Sequence, residues 1–346
     1  MTFRYIGSKA RVVDVISKRI GPPSGKGRFV DLFCGTGVVA EAAANLGWDV
    51  HLNDHLHSSV IMAAARLITP AQAKFTKLGG YERAVDALNG LAAKPGFIHR
   101  EYSPASMDLI GLERRYFSTE NAARIDAIRS EIEAWSKAGK LTLAEEHLLL
   151  ADLLSATNRV ANIAGTYGCF LSKWQSQALH PIALRVRDLF KGSGRVTVSV
   201  KDARAAPTKP DDFVYIDPPY TKRQYAAYYH LLETITLGDE PVVEGVAGLR
   251  PWQTKASDFC YRVRALRAFE KLIDHIPASR FLISYSDDAH VEIDALIVAM
   301  RKFGRVNPIQ VKEIARYRPN QTASAGAASV SEYLIEVDRL AVEIAA

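Results

Sequence analysis

The sequence predicts an α/β fold in which a mainly parallel β-sheet is interrupted by a long, mainly helical insertion. Short apolar segments bounded by glycine or proline occur before residue 58 and again after residue 194, whereas helical spacing of apolar residues dominates between them. A strand, a glycine turn, a helix and a second strand follow one another near the N-terminus, an order that favours parallel strands covered on both faces. We therefore expect a discontinuous α/β domain, residues 1–58 and 194–346, and a helical insertion, residues 59–193.

The first predicted elements are bounded by residues that interrupt helices. Pro22 and Pro23 follow the first helical pattern, and Gly47 follows the second. The elements are a helix at 8–20, a strand at 28–33, a glycine turn at 34–37, a helix at 38–46 and a strand at 48–52.

The remaining elements divide into helices of the insertion and strands that follow it. Residues 122–135 and 144–161 have helical patterns, the first with an exposed face rich in arginine and glutamate. Apolar or alternating segments typical of strands occur at 195–200, 213–216, 280–285, 309–315 and 332–337.

Composition sets the broad class of the protein. The 346 residues are 48% hydrophobic and 24% charged, which is typical of a globular protein with a substantial core. The formal net charge of +6 favours a polyanionic partner, because cationic side chains release counterions when they neutralise phosphates. Cys34, Cys169 and Cys260 form no CxxC pair, so neither a disulfide framework nor a zinc site is predicted. With no signal peptide or membrane-length apolar segment, a cytoplasmic protein is expected.

A glycine loop follows the first predicted strand. Gly35 and Gly37 let the backbone approach a ligand, and the helix beyond begins with free N–H donors. The third glycine of the dinucleotide fingerprint is missing, which counts against NAD. Asp54, at the end of the second strand, is placed to accept hydrogen bonds from ribose hydroxyls. The loop by itself indicates either a nucleotide cofactor or an ordinary tight turn with a helix cap.

A second turn, Asp217-Pro218-Pro219-Tyr220, comes directly after the apolar strand 213–216. It therefore lies at the carboxyl end of a strand, where open α/β sheets bind ligands. Two prolines fix two φ angles and remove two donors, which leaves a carboxylate, a carbonyl and an aromatic ring on a rigid turn. If Asp217 and the Pro218 carbonyl each accept one N–H of an aryl amine, they favour a tetrahedral nitrogen whose lone pair points at a methyl donor. Tyr220 can stack on the base. The turn thus predicts amine methylation.

These motifs resemble those of the Dam-type (alpha-group) adenine-specific DNA methyltransferases, in their modification methylase subgroup. The resemblance covers most of the chain, in the order cofactor motif, recognition region and DPPY turn. It implies a Rossmann-like S-adenosylmethionine-dependent methyltransferase fold, with S-adenosyl-L-homocysteine as product. It also implies duplex DNA as substrate, with the exocyclic amine of a flipped-out adenine as the acceptor, in a nucleoid-associated protein of a prokaryote or phage.

The resemblance assigns roles to individual residues. Residues 4–9 resemble the N-terminal motif that contacts the methionine part of the cofactor, and Asp202 resembles an acidic residue near the cofactor adenine. Residues 223–225 and 229–235 resemble segments of the modification methylase subgroup. The predicted catalytic residues are Asp217, Pro218, Pro219 and Tyr220, and the predicted cofactor-binding residues are Tyr5, Gly7, Lys9, Asp31, Phe33, Gly35, Gly37, Asp54 and Asp202.

The helical insertion is the predicted DNA-recognition region, because its arginine, lysine and asparagine side chains suit phosphates and base edges. The segment 238–260 is longer than in the simplest Dam-type enzymes, and is either a DNA-contacting loop or a cap on the fold. A cognate restriction endonuclease is a candidate partner, and a monomer or weak dimer is expected. The predicted DNA-binding residues are Asn158, Arg159, Lys173, Arg223 and Arg316.

Several alternatives remain open at this point. A turn of this type also occurs in methyltransferases that act on RNA, protein glutamine or the cytosine amine, and a catalytically silent DNA-binding protein is a further alternative. His51, His55 and His57 do not predict a metal site, because the neighbouring Asp54 is assigned to ribose. Cys34 lacks the proline–cysteine context of a base-attacking thiolate and is predicted to be a packing residue.

Overall fold

The structure is a computed structural model that describes residues 3–315 and 329–339. The described residues form twelve α-helices and seven β-strands. The helices are α1 (Val13–Ile20), α2 (Val38–Asn45), α3 (His57–Ala65), α4 (Tyr81–Asn89), α5 (Phe97–Tyr102), α6 (Met107–Ile110), α7 (Thr119–Lys137), α8 (Leu143–Val160), α9 (Tyr225–Tyr228), α10 (His230–Leu237), α11 (Arg262–His275) and α12 (Ile293–Met300). The strands are β1 (Phe29–Asp31), β2 (Val50–Asp54), β3 (Val196–Val200), β4 (Phe213–Ile216), β5 (Arg280–Ser286), β6 (Arg305–Ala315) and β7 (Ser329–Asp338).

The chain forms two compact units, each assembled from three segments. The helical unit comprises the described residues of Met1–Ile6, Leu56–Lys191 and Tyr225–Lys255. The sheet unit comprises the described residues of Gly7–His55, Gly192–Gln224 and Ala256–Ala346.

All seven strands of the described residues lie in the sheet unit and form one sheet in the order β3-β2-β1-β4-β5-β7-β6. Strands β3, β2, β1, β4 and β5 are parallel, whereas β7 is antiparallel to β5 and to β6. The order of the parallel strands is that of a doubly wound nucleotide-binding sheet. The predicted Rossmann-like α/β fold is confirmed.

Apolar residues on both faces of the central strands form the core of the sheet unit. Val30, Val214 and Ile283, one from each of β1, β4 and β5, have no exposed surface. They belong to a cluster that also includes Phe269 of α11 and Leu296 of α12. Central parallel strands covered by helices read as continuous apolar runs, which explains why the sequence predicted them readily.

The two longest helices, α7 and α8, contribute to the core of the helical unit. Ile125 and Ile128 of α7 pack in one cluster with Leu149 and Leu153 of α8. Thr142 begins α8 with a capping box, in which its side chain accepts the Glu145 N–H and the Glu145 carboxylate accepts the Thr142 N–H. The cap satisfies backbone donors that the helix itself leaves unpaired.

The boundaries of the helical unit differ in part from those of the predicted insertion, residues 59–193. The central segment, Leu56–Lys191, agrees with the prediction to within three residues at each end. The structure adds residues 3–6 and Tyr225–Lys255, which the sequence analysis placed in the α/β domain. Apolar residues of α10, such as Leu231 and Leu232, belong to the helical core, which accounts for this placement. The role of the unit in DNA recognition stays a prediction.

Among the described residues, no helix is both long enough and apolar enough to cross a membrane.

Candidate active site

The glycine loop is folded against the end of β2. The Cys34 N–H donates to the Asn53 carbonyl at 3.0 Å, and the Gly35 N–H donates to Oδ2 of Asp54 at 3.0 Å. Gly35 and Gly37 have φ angles of 49° and 78°, a region that glycine adopts without steric cost. The predicted cofactor residues Gly35, Gly37 and Asp54 therefore lie together at the carboxyl ends of β1 and β2.

Asp31 ends β1 and is a buried acid with incomplete hydrogen bonding. Its side chain is 2% exposed, and Oδ1 has no hydrogen-bond partner among the described residues. Burial, followed by the negative charge of Asp217, raises the pKa of Asp31 well above its usual value. An unpaired buried acceptor is costly, so this oxygen suits a donor or a cation supplied by a ligand.

Buried polar side chains fix the strand ends around the loop. The Asn53 amide donates to the Leu32 carbonyl at 3.1 Å and accepts the Ser199 hydroxyl at 2.7 Å, so it connects β1, β2 and β3. His51 Nε2 lies 2.9 Å from the Ser199 hydroxyl, and burial lowers the pKa of His51 to about 4. His51 is therefore a neutral structural residue in this network.

The DPPY turn begins where β4 ends, beside β1 in the sheet. Tyr215 of β4 is paired with Asp31 of β1, and Asp217 follows two residues later. Asp217 is 14% exposed, and its Oδ1 lies 3.2 Å from Nζ of Lys9. Burial, helped by the charge of Glu332, raises the pKa of Asp217 to about 7 although Lys9 lowers it. Near neutral pH this carboxyl group therefore exchanges readily between its acid and its carboxylate.

Lys9 lies between two carboxylates. Its ammonium is 3.2 Å from Asp217 and 3.1 Å from Oε2 of Glu332, and its side chain is only 4% exposed. Burial lowers the pKa of Lys9, but Asp217, Tyr220 and Glu332 more than offset this and hold the pKa well above its usual value. Lys9 is therefore a buried ammonium ion.

Tyr220 places its ring beside this ion pair. The Lys9 ammonium is 5.2 Å from the ring centroid, and the Tyr285 ring packs edge-on at 5.6 Å. The Tyr220 carbonyl accepts the His290 N–H at 3.0 Å, which fixes the end of the turn. Burial raises the pKa of Tyr220 to about 12, so its phenol is neutral. Among the described residues, no donor reaches the Pro218 carbonyl.

The structure places three other predicted cofactor residues in the sheet unit. Gly7 has a φ angle of 78°, and the Phe33 ring packs edge-on against Phe259 at 5.6 Å. Asp202 follows β3 and accepts the Arg204 N–H and its Nε, both at 3.0 Å. Partial burial raises the pKa of Asp202, but the hydrogen bonds and charge of Arg204 lower it overall. Asp202 is thus an ionised carboxylate at the carboxyl end of β3.

Tyr5, also predicted to bind the cofactor, lies in the helical unit. Its ring stacks on Tyr229 at 4.4 Å, and its hydroxyl is 3.3 Å from that of Ser59. Tyr225 packs against the same ring at 5.8 Å. Tyr5 therefore belongs to an aromatic group that ties the N-terminal segment to α3 and to the α9–α10 region.

Asn158, predicted to bind DNA, is buried at 2% exposure. Its Oδ1 accepts the Arg4 N–H at 2.9 Å, and its Nδ2 donates to the Arg4 carbonyl at 3.3 Å. Both polar atoms of the side chain are therefore used inside the protein. As a correction to the sequence analysis, Asn158 anchors the N-terminal segment in this structure instead of presenting its amide to DNA.

The other predicted DNA-binding residues differ in accessibility. Arg159 is half-buried and donates to the Ala183 carbonyl at 2.7 Å. Lys173, in the helical unit, and Arg223, just after the DPPY turn in the sheet unit, are exposed. Arg316 lies outside the described residues.

Two acidic residues that pair with groups distant in sequence were missed by the sequence analysis. Glu332 of β7 pairs with Lys9, and Glu233 of α10 accepts the N–H groups of His57 and Ser58 at the start of α3. Only the resemblance of 229–235 to a family segment drew attention to Glu233. No sequence signal marks Glu332, because its partner is 323 residues away.

Comparison with known proteins agrees with this geometry. The family described as D12 class N6 adenine-specific DNA methyltransferase matches residues 5–291. Modification methylase StsI of Streptococcus sanguinis is 32% identical over 92% of this chain and 49% of its own length. Type II methyltransferase M.FokI of Planomicrobium okeanokoites is 31% identical over 97% of this chain and 52% of its own length.

A third relative has nearly the same length as this chain. Type II methyltransferase M.NlaIII of Neisseria lactamica is 32% identical over 95% of this chain and 97% of its own length. The chain thus spans about half of the StsI and FokI methylases and nearly all of the NlaIII methylase. The predicted family is confirmed: the chain belongs to the D12 class of N6 adenine-specific DNA methyltransferases.

Proposed function

We propose that this chain transfers a methyl group from S-adenosylmethionine to the exocyclic amine of a flipped-out adenine at a specific site in duplex DNA. The observation that carries the proposal is the turn Asp217–Tyr220 at the carboxyl end of β4, adjacent in the sheet to β1 and its glycine loop. This turn presents a carboxyl group, a neutral phenol and the Pro218 carbonyl, which no donor reaches in the part of the chain that the structure describes.

The carboxyl ends of β1 and β2 fit the cofactor. Asp31 has an orphaned acceptor that suits the cationic part of S-adenosylmethionine, and Asp54 stands where a ribose-binding acid is expected. When bound, the cofactor would supply the methyl group of its sulfonium centre. The rest of the cofactor would then be left as a neutral thioether. The proposed binding residues remain Tyr5, Gly7, Lys9, Asp31, Phe33, Gly35, Gly37, Asp54 and Asp202.

Asp217 and Pro218 are proposed to prepare the amine. Its lone pair is delocalised into the purine ring, so the nitrogen is a poor nucleophile until both N–H groups are held out of that plane. Asp217 and the Pro218 carbonyl each accept one N–H, and Pro219 keeps the turn rigid. As the new N–C bond forms, the nitrogen becomes cationic and must lose a proton. Asp217, with a pKa of about 7, is matched to receive it at neutral pH.

Tyr220 is proposed to stack on the extruded adenine. A paired and stacked amine cannot reach the methyl donor, and extrusion of a base costs a few kcal/mol. Stacking on an aromatic ring recovers about 1–3 kcal/mol of this cost. Tyr220 is suited to this role because it is neutral and its position is fixed by Tyr285 and His290.

Exposed cations beside the turn are proposed to contact DNA phosphates. Lys222 and Arg223 follow the turn directly, and Arg262 begins α11. The Cys260 thiol contacts the Arg223 carbonyl at 3.3 Å, which ties the start of α11 to this loop. Arg262 is an addition to the predicted DNA-binding residues, of which Lys173, Arg159 and Arg316 stay proposals.

The relatives of this chain support a wider role. They are modification methylases and type II methyltransferases. We infer that this chain protects DNA against a cognate restriction endonuclease by methylating a short site, as a monomer or weak dimer.

The test is transfer of labelled methyl groups from S-adenosylmethionine to unmethylated plasmid DNA. Label that resists protease and RNase, is released by DNase and is recovered as N6-methyladenine supports the proposal. Single-molecule sequencing of the plasmid then identifies the site. Label confined to protein, RNA or cytosine contradicts the proposal, and so does activity that persists in the Asp217→Asn variant.

A further inference from the structure

We propose that Glu332 is a positioning residue for methyl transfer: it keeps the Lys9 ammonium paired when the Asp217 carboxylate is neutralised by the proton of the target amine. The proposal rests on the proposed function. It adds a residue of β7 that lies outside every motif recognised in the sequence and beyond the residues matched by the family.

The geometry places one cation between two anions. Lys9 Nζ is 3.1 Å from Glu332 and 3.2 Å from Asp217, and both carboxyl side chains are 14% exposed. The three groups come from separate elements, the short 3-10 turn Lys9–Arg11, the turn after β4, and β7. Two of the three ammonium N–H donors can thus be used at once, one for each acid.

The contact between Lys9 and Asp217 bears on the proposed proton transfer. Lys9 lies at Oδ1 of Asp217, so the other oxygen is left to accept an N–H of adenine. When Asp217 then receives the amine proton, it becomes neutral, and a buried ammonium with no other partner would be left uncompensated, which is strongly unfavourable. Glu332 prevents this, because Lys9 retains an anionic partner after Asp217 is protonated.

Lys9 and Glu332 also shift the pKa of Asp217 in opposite directions. The groups that face Asp217 are Lys9, Glu332, Tyr215, Tyr220 and Asp31. Lys9 is the cation among them and favours the carboxylate, whereas Glu332 opposes it. The opposed signs give the proposal a signature that a purely structural role for Glu332 does not share.

The experiment measures kcat/KM for DNA against pH at saturating S-adenosylmethionine. In the wild type, the acidic limb is expected near pH 7, where Asp217 ionises. Glu332→Gln is expected to move the limb to lower pH and to reduce the plateau by about 100-fold, because the buried Lys9 ammonium then has no anionic partner when Asp217 takes the proton. Lys9→Met is expected to move the limb to higher pH. Glu332→Asp, which keeps the charge, is expected to keep the wild-type limb.

Glu336→Gln is the matched control. Glu336 lies four residues further along β7, on the same face of the strand, and accepts the Asn307 amide at 2.9 Å. Its removal is expected to leave limb and plateau unchanged. Equal profiles for Glu332→Gln and Glu336→Gln, with the wild type active, would overturn the role of Glu332 and leave the proposed function standing.

A second readout does not depend on turnover. Titration of the Asp217 carboxyl by NMR of carboxyl-labelled aspartate, assigned with Asp217→Asn, is expected to show a lower midpoint in Glu332→Gln than in the wild type. An unchanged midpoint contradicts the proposal. A wild type that methylates no DNA but shows the shifted midpoint would reject the proposed function while retaining the coupling of the three residues.

Discussion

Two buried acids, one in each unit, have pKa values that are shifted in opposite directions. Glu233 in the helical unit has five polar contacts, with His57 N and Nδ1, Ser58 N and Oγ, and Lys255 Nζ. Burial raises its pKa, but these contacts lower it to about 2 overall. Asp217 in the sheet unit has Lys9 as its single partner among the described residues, and its pKa rises to about 7.

The difference separates a structural acid from a reactive one. Glu233 pairs with the first N–H groups of α3, and these donors, together with Lys255, hold it ionised at any ordinary pH. Asp217 has acceptor capacity left over and changes its protonation state near neutral pH, as a group that binds and deprotonates an amine must do. Burial alone therefore does not identify a functional acid, whereas incomplete pairing does.

The largest expected effect is on catalysis when Asp217 loses its charge. Asp217→Asn is expected to lower kcat by about 10³-fold, because the amide neither accepts the amine proton nor presents two acceptors. The free energy of unfolding should change by less than about 1 kcal/mol, since Lys9 keeps Glu332 and the lost charge was unfavourably buried. Cofactor affinity should change little, and methyl-transfer rates, urea denaturation and calorimetric cofactor binding measure the three quantities. Parallel losses of cofactor binding and stability would show that Asp217 is a structural acid like Glu233, which contradicts the distinction between the two residues.

The second effect is on stability when Glu233 loses its charge. Glu233→Gln is expected to reduce the free energy of unfolding by about 3 kcal/mol. The substitution replaces a buried carboxylate with five contacts by an amide, whose NH2 group cannot accept hydrogen bonds from the neighbouring donors. The folded pKa of Glu233 is depressed, so its contribution is fully present above the unfolded pKa of about 4.3 and is lost as the pH falls through about 2. The variant and the wild type should therefore converge in urea denaturation between about pH 5 and pH 2. A constant gap would show that packing, not charge, is responsible.

Local patterns predicted the part of the site that lies at strand ends. Asp31, Asp54 and Asp217 each end or directly follow an apolar strand, and parallel strands align their carboxyl ends at one edge of the sheet. The sequence therefore sufficed to place these three acids at one edge, together with the glycine loop.

The partners of these acids could not be predicted in the same way. Asn158 has the chemistry of a DNA contact, and only the direction in which it leaves α8 commits it to Arg4, 154 residues away. Glu332 looks like any charged residue of an alternating strand until β7 is placed beside β5. Side-chain direction and pairing across distant segments decide such roles, and neither is encoded in local spacing.

The smallest expected effect tests whether the contacts of Glu233 are redundant. Lys255→Met removes one cation, 28% exposed, and leaves four contacts from His57 and Ser58 in place. The loss in free energy of unfolding should stay below about 1 kcal/mol, as for a partly solvated ion pair, and should shrink in high salt. Urea denaturation at low and high ionic strength measures it, with Lys137→Met on the exposed i,i+4 pair with Glu133 as the control. A loss as large as that of Glu233→Gln would mean that Glu233, like Asp217, depends on one lysine, and redundancy would no longer distinguish the two acids.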